Sequence, residues 1–163
     1  MATSLREFLS QKSAIYAAES EKNQILIEEW QGAVDKLFIQ LHQWLTAVDP
    51  ERIIRLEYGQ IEVTEPGLGR YKIARLNLRA FGKWVGLIPK ARKTIGRANP
   101  PQQGAPERAT GRVDITDEVR RYVLYRFKRD GIDEWFIDDS ATTSEMMPLT
   151  PERFEAALLS YYQ

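Results

Sequence analysis

Two apolar runs of strand length lie back to back in the second half of the chain, Tyr122 to Arg129 and Ile132 to Asp138, with Asp130-Gly131 between them. An Asp-Gly pair in this position is typical of a two-residue type I′ hairpin turn, because that turn requires positive φ at both central residues. One face of the hairpin then carries Tyr122, Leu124, Trp135 and Ile137, and the other carries Val123, Tyr125, Phe127 and Phe136. Since both faces are apolar away from the turn, we expect the hairpin to lie centrally in a sheet, with a layer packed on each side.

The longest helical pattern runs from Leu5 to Val48, a stretch without proline in which Gly32 is the only glycine. Ser4 and Glu7 form a capping-box signature at its start. Apolar residues recur at three- and four-residue spacing in two groups, a short one (Leu5, Phe8, Leu9, Ile15) and a longer one (Leu26, Trp30, Ala33, Leu37, Leu41, Trp44, Leu45, Val48). The pattern predicts one helix of about 65 Å or two helical segments. We favour two segments, or one helix whose first half projects from a body too small to cover it.

Shorter runs predict a sheet between this helical segment and the hairpin. Pro89 suggests that its own strand ends there or lies at an edge, and a shift of the inward-facing side chains near Ala74 suggests a β-bulge. The predicted strands are Ile53–Tyr58, Ile61–Glu65, Arg70–Arg79, Trp84–Ile88 and Arg112–Thr116. Thr150-Pro151-Glu152 begins a C-terminal helix, because it supplies a cap residue, a proline at the first position and an acid in the first turn.

These elements predict an α+β fold: a mainly antiparallel sheet of five to seven strands with a long N-terminal helix, or helix pair, and a C-terminal helix. We divide the chain into an N-terminal helical segment, residues 1–49, and an α+β body, residues 50–163, within a single domain. A pleckstrin-homology-like sandwich closed by a C-terminal helix is one topology that this order permits, although no motif specifies it.

Composition narrows the classes of function. The 163 residues are 43% hydrophobic and 28% charged, as in ordinary globular proteins, and they include no cysteine. Disulfides, thiolate catalysis and Cys-ligated metals are therefore excluded. No apolar run approaches the roughly 20 residues of a membrane span, and the first residues do not resemble a secretory signal. We expect a cytoplasmic protein that does not enter a membrane.

The formal net charge of zero hides a strong segregation along the chain. Residues 1–69 contain 6 Lys/Arg and 11 Asp/Glu, residues 70–129 contain 16 and 4, and residues 130–163 contain 1 and 8. A basic centre between acidic ends predicts either an anion-binding surface or a chain whose acidic ends neutralise its centre on folding. We favour neutralisation.

Catalytic motifs are almost absent from the sequence. The single histidine, His42, has no carboxylate three or four residues away to orient it, and no nucleophile elbow, phosphate-binding loop or dinucleotide motif occurs, so no cofactor is predicted. Two groups of carboxylates could hold a hard cation such as Mg²⁺ if the sheet brought them together. They are Asp114, Asp117 and Glu118, and then Asp133, Glu134, Asp138 and Asp139.

Three hypotheses of function follow. The first is a non-catalytic interaction or adaptor protein that dimerises or docks into a larger assembly through its N-terminal helix, with Trp30, Leu37, Leu41 and Trp44 as candidate interaction residues. The second is a nucleic-acid-binding module that uses the basic surface of residues 72–112, because Lys and Arg contact phosphates and an exposed aromatic ring can stack on a base. Its candidate residues are Arg75, Arg79, Lys83, Lys90, Arg92, Lys93 and Arg97. The third is a metal-dependent enzyme that uses the clustered carboxylates.

Overall fold

The computed structural model describes residues 3–94, 108–139 and 146–163. Its elements in chain order are helix α1 (Leu5–Val48), strands β1 (Arg55–Glu65), β2 (Gly69–Ala80), β3 (Lys83–Ala91), β4 (Arg112–Thr116), β5 (Arg121–Arg129), β6 (Ile132–Asp139) and β7 (Met147–Pro148), and helix α2 (Pro151–Tyr162). The seven strands form one sheet in which each strand pairs with the next along the chain. All six pairings are antiparallel. The predicted α+β class, with its long first helix and C-terminal helix, is confirmed.

Strands β5 and β6 form the predicted hairpin, in the predicted register. Leu124 pairs with Ile137, and Arg129 pairs with Ile132 across the turn. The turn residues Asp130 and Gly131 have φ of 51° and 76°, as a type I′ turn requires. Leu124 and Ile137 belong to the main core, with Tyr122 and Trp135 packed against it. Val123, Tyr125, Phe127 and Phe136 form a second core on the opposite face, together with Ala109 and Met146.

Helix α1 is one continuous helix of 44 residues, about 66 Å long at 1.5 Å per residue. The Ser4–Glu7 capping box forms in both directions, from the Glu7 N–H to Ser4 Oγ and from the Ser4 N–H to Glu7 Oε2. The buried residues of α1 all lie in its second half, from Ile27 to Leu45. The first half therefore projects from the body.

Helix α2 closes the main core beside the second half of α1. Thr150 caps it by accepting the Arg153 N–H, and Pro151 is its first residue. Its buried residues are those that the periodicity marks, Phe154, Ala157, Leu158 and Tyr161. The ring of Phe154 lies 6.2 Å from that of Trp44 on α1, so the two helices share one layer over the sheet.

Two local predictions about the sheet are wrong, the break between the first two predicted strands and the bulge near Ala74. Strand β1 runs through Gly59 without a break, and its register with β2 is continuous past Ala74, so no one-residue bulge occurs there. The buried side chains of β2 nevertheless change from odd-numbered to even-numbered positions along the strand. The side chains of β1 make the corresponding change where the two strands are paired, so the inward-facing set shifts in both strands at one place. The prediction for Pro89 holds locally: Pro89 pairs with Val113 of β4 but lies beyond the last β2–β3 pair, Leu76–Leu87, so it occupies an edge position two residues before β3 ends. Strand β7, which is not among the predicted strands, adds two residues that pair with β6.

Candidate interaction site

The projecting part of α1, residues 5–22, is here called the arm. Every residue of the arm is exposed. Its large apolar side chains keep more than half of their surface accessible: Leu5 71%, Phe8 52%, Leu9 54%, Ile15 55% and Tyr16 72%. Five exposed apolar side chains of this size within 12 residues of one helix exceed the single scattered apolar residues of an ordinary monomer surface, so the arm is a candidate binding surface.

The apolar residues of the arm continue the face by which α1 packs on the sheet. At 3.6 residues per turn, Leu9 lies about five turns before Ile27, and Tyr16 lies about five turns before Val34. Ile27 and Val34 are both in the main core. We call this side of the arm its inner face. The helix thus carries one apolar side along most of its length, and the sheet covers only the second half of it.

The candidate interaction residues from the sequence lie elsewhere. Trp30, Leu37 and Leu41 are in the main core with 0–1% exposure, and Trp44 is half-buried against Phe154. In this conformation Trp30, Leu37 and Leu41 are not accessible to a partner. Periodicity marks the apolar side of the helix, but it cannot tell which half of that side the body covers.

A buried ion-pair network joins the second half of α1 to the central hairpin. Arg126 of β5 is 1% exposed; its Nη2 donates to both Glu29 carboxylate oxygens at 2.8 Å, and its Nε donates to Asp133 Oδ1 at 2.9 Å. The Arg126 guanidinium also lies 5.9 Å from the Trp30 ring centroid. Burial raises the pKa of Glu29, but the hydrogen bond and charge of Arg126, with Lys128 and Arg92, outweigh burial and hold it below its usual value. The network stabilises the base of the arm.

Gly111 lies at the same contact between α1 and the hairpin, and its lack of a side chain makes that close contact possible. A Cβ at Gly111 would meet ring atoms of Trp30 at 2.2–3.0 Å, closer than any real carbon contact. On either side of Gly111, the Thr110 N–H donates to the Arg126 carbonyl and the Arg126 N–H donates to the Gly111 carbonyl. The backbone at Gly111 therefore packs directly on the Trp30 ring of α1 while it is hydrogen-bonded to the hairpin.

A cleft of about 610 Å³ opens between α1 and the hairpin, with Arg126 in its lining. The donors of Arg126 are already directed to Glu29, Asp133 and, at 3.4 Å, the Thr110 carbonyl. A cation with its donors engaged in this way has little left to offer an anionic ligand. The geometry therefore favours a structural role for the cleft lining.

The basic candidate residues do not form one surface. Arg79 is at the end of β2, where it pairs with Glu57 at 3.1 Å, and Arg75 donates to Asn77 on the same strand. Arg92 and Lys93 are beyond the far end of β3, roughly 25 Å away along the strand at 3.3 Å per residue. Lys83 and Lys90 are exposed at the two ends of β3, and Arg97 lies outside the described residues.

Buried Glu65 determines where Arg92 and Lys93 sit. Its carboxylate accepts the backbone N–H groups of both residues at 2.9–3.1 Å and the Tyr71 hydroxyl proton at 2.5 Å. This ties the chain after β3 to the tip of the β1–β2 hairpin. Burial and the hydrogen bond to Glu65 raise the pKa of Tyr71, so the phenol remains a donor.

Much of the basic centre is neutralised by acids from the two ends of the chain. Arg126 pairs with Glu29 from the N-terminal part and with Asp133 from the C-terminal part. Other such pairs are Lys128–Glu29, Arg129–Glu134, Arg120–Asp139, Arg79–Glu57 and Arg70–Glu62. The sequence alone could not identify Glu29 as the partner of Arg126, because the two residues are 97 positions apart.

An aromatic and basic group does gather at the β2–β3 turn. Phe81 is 77% exposed at a φ of 54°, a strained conformation for a bulky residue. Trp84 is half-buried. It lies over Gly86 on the sheet face away from the helices, together with Arg75. A cavity of about 400 Å³ is lined there by Ile53, Arg55, Glu57, Arg79, Ala80, Phe81, Gly82, Lys83 and Trp84.

The carboxylate groups do not converge. Asp114 is 1% exposed and pairs with Arg112 at 2.8 Å and Arg121 at 3.7 Å. Within residues 3–94, 108–139 and 146–163, no group of three or more His, Asp or Glu side chains is placed to hold a metal ion. His42 contacts the Tyr58 hydroxyl at 3.0 Å.

Comparison of the chain with protein-family models, curated proteins and solved structures gives no significant match. None of the helices in the described part of the chain has the length and apolar character needed to cross a bilayer. Among the candidate sites, the arm combines full exposure with large apolar side chains.

Proposed function

We propose that this protein is a non-catalytic interaction protein of the cytoplasm that binds a protein partner through the inner face of its arm. One observation carries the proposal: five large apolar side chains stay more than half exposed on a helix whose other half packs the same side into the core. Covering them would release apolar surface from water, which is the main favourable term in protein association.

The base of the arm supports this role. The Arg126–Glu29–Asp133 network and the Trp30–Gly111 contact hold the second half of α1 in place. A rigid base presents the arm in one direction, which lowers the entropy lost on binding.

A photo-crosslinking amino acid at Phe8, on the inner face, tests the proposal in cells that make the protein. The matched control carries the same group at Glu21, on the opposite side of the helix. We expect a defined protein adduct from position 8 and much less from position 21. Adducts of equal yield at both positions, or none at either, would refute binding by the inner face.

A second candidate function is binding of single-stranded nucleic acid at the β2–β3 turn. The exposed, strained Phe81 beside Trp84, Arg79 and Lys83 favours it, because stacking aromatics next to cations are the usual platform for unpaired bases. Its affinity should fall steeply with salt. Phe81→Ala combined with Lys83→Glu should abolish the binding, whereas Lys90→Glu, Arg92→Glu and Lys93→Glu together should leave most of it. The reverse result would move the site to the other end of β3.

A further inference from the structure

We propose that the arms of two copies of this chain pair antiparallel, in the register that places Lys12 of each copy opposite Glu19 of the other. The inference rests on the proposed function, since it names the partner of the inner face as a second copy.

The charge pattern of the inner face is self-complementary. The two charged residues on this side of the arm are Lys12 and Glu19, which lie about five turns before Trp30 and Leu37 of the core. Neither makes an ion pair within the described residues. A parallel pair in register would place Lys12 against Lys12 and Glu19 against Glu19. An antiparallel pair forms the Lys12–Glu19 contact twice, once on each side of the two-fold axis.

The same register brings the apolar side chains together. Ile15 falls opposite Tyr16 of the second copy, so four large apolar side chains surround the two-fold axis. Leu5 falls level with Leu26 of the second copy, which packs against the core at the root of that arm. The overlap runs from residue 5 to residue 26, about 33 Å of paired helix.

The exposed area is enough for a weak but specific pair. Aromatic side chains bury roughly 150–250 Å² each, and leucine or isoleucine somewhat less, so the five that are more than half exposed leave on the order of 500 Å² of apolar surface on each arm. Two arms together, with the stems of Lys12 and Glu19, reach the roughly 1,000 Å² that separates specific interfaces from incidental contacts. The free end of an exposed helix frays in water, so pairing would also order the outer turns of the arm.

The body leaves room for the end of the second arm. A cavity of about 480 Å³ lies at the root of the arm, between Tyr16, Glu19 and Asn23 on the helix and residues 65–70 at the tip of the β1–β2 hairpin. The inner face of the arm lines one side of this cavity. In the antiparallel register the start of the second arm reaches this root.

Charge reversal tests the register in the full-length protein. Sedimentation equilibrium between about 1 and 100 µM should give a dimer for the natural chain. Lys12→Glu and Glu19→Lys should each weaken dimerisation about tenfold or more, because each places like charges together twice. The double variant should restore the natural affinity. Glu21→Lys, on the opposite side of the helix, is the matched control and should change little.

Distances between the arms give an independent readout. The chain has no cysteine, so one introduced cysteine carries one spin label. Labels at Arg6→Cys should lie about 30 Å apart in the antiparallel dimer, and labels at Ser20→Cys about 15–20 Å apart. A parallel pair would give short distances at both positions and would overturn the proposal.

A monomer at 100 µM would overturn self-pairing, as would a dimer that Lys12→Glu and Glu19→Lys leave intact. The crosslink at position 8 separates this failure from failure of the proposed function. A monomeric chain whose position 8 captures a different protein refutes the second copy and keeps the interaction role. A monomeric chain without an adduct refutes both.

Discussion

The central hairpin and the arm contain similar side chains in opposite surroundings. Phe127 on β5 is fully buried, with its ring 5.4 Å from that of Phe136, while Phe8 on the arm is 52% exposed. The hairpin has a core on each face, and none of the residues from 5 to 22 is buried. The difference indicates that apolar surface stabilises the body at the hairpin, whereas on the arm it stays exposed, where it is open to the association that we propose.

Replacing a phenylalanine by alanine should change the free energy of unfolding far more in the hairpin than in the arm, and this is the largest difference that we expect. Phe127→Ala removes a fully buried ring and should cost about 3–5 kcal/mol of the free energy of unfolding. Phe8→Ala should change that free energy by less than about 0.5 kcal/mol in the monomer, while weakening association. Urea denaturation at a concentration below dimerisation measures both. Equal losses would mean that the arm packs on its own body.

Two glycine-to-alanine substitutions compare the contact between Gly111 and Trp30 with the hairpin turn at Gly131. Gly111→Ala places a Cβ 2.2 Å from a Trp30 ring carbon, and such overpacking should cost about 1–3 kcal/mol or more. Gly131→Ala meets no neighbouring atom but keeps a φ of 76°, so it should cost only about 1 kcal/mol. Thermal unfolding of the two variants should rank them in that order. A smaller loss for Gly111→Ala would show that α1 can move away from the hairpin.

Acid titration measures the link between α1 and the hairpin. The pKa of Glu29 lies below its usual value, so its contribution is complete above the unfolded pKa of about 4.5 and is lost as the pH falls through the folded pKa. Glu29→Gln should therefore lower the free energy of unfolding by roughly 1–2 kcal/mol at pH 7. This difference from the natural chain should shrink as the pH falls below about 4.5. Glu28→Gln, at an exposed position one residue earlier, should have almost no effect at either pH.

The sequence predicts best where a local signal is sufficient. Asp130-Gly131 determines the turn, the turn determines the pairing of β5 with β6, and alternation then assigns both faces correctly. The start of α2 follows in the same way from Thr150 and Pro151. Both predictions depend on neighbours in sequence and not on the rest of the fold.

The site was less predictable because it depends on distant contacts. Alternation places Arg126 on the core face, but only the fold reveals that Glu29 compensates its charge from another element. Periodicity marks one apolar side on α1, yet the extent of the sheet decides that Leu41 is buried and Leu5 is exposed. The basic residues are close in sequence but far apart in the structure, because the length of β3 separates Lys83 at its start from Arg92 and Lys93 beyond its end.

Hydrogen exchange of the full-length chain at two concentrations compares the two regions directly. At about 0.1 µM, amides of residues 5–22 should exchange quickly, because an unpaired helix opens readily. At about 100 µM, the same amides should be protected by pairing, while those of β5 and β6 should be protected at both concentrations. Arm amides that are protected at 0.1 µM, or unprotected at 100 µM, would contradict an arm that is left open for a second copy.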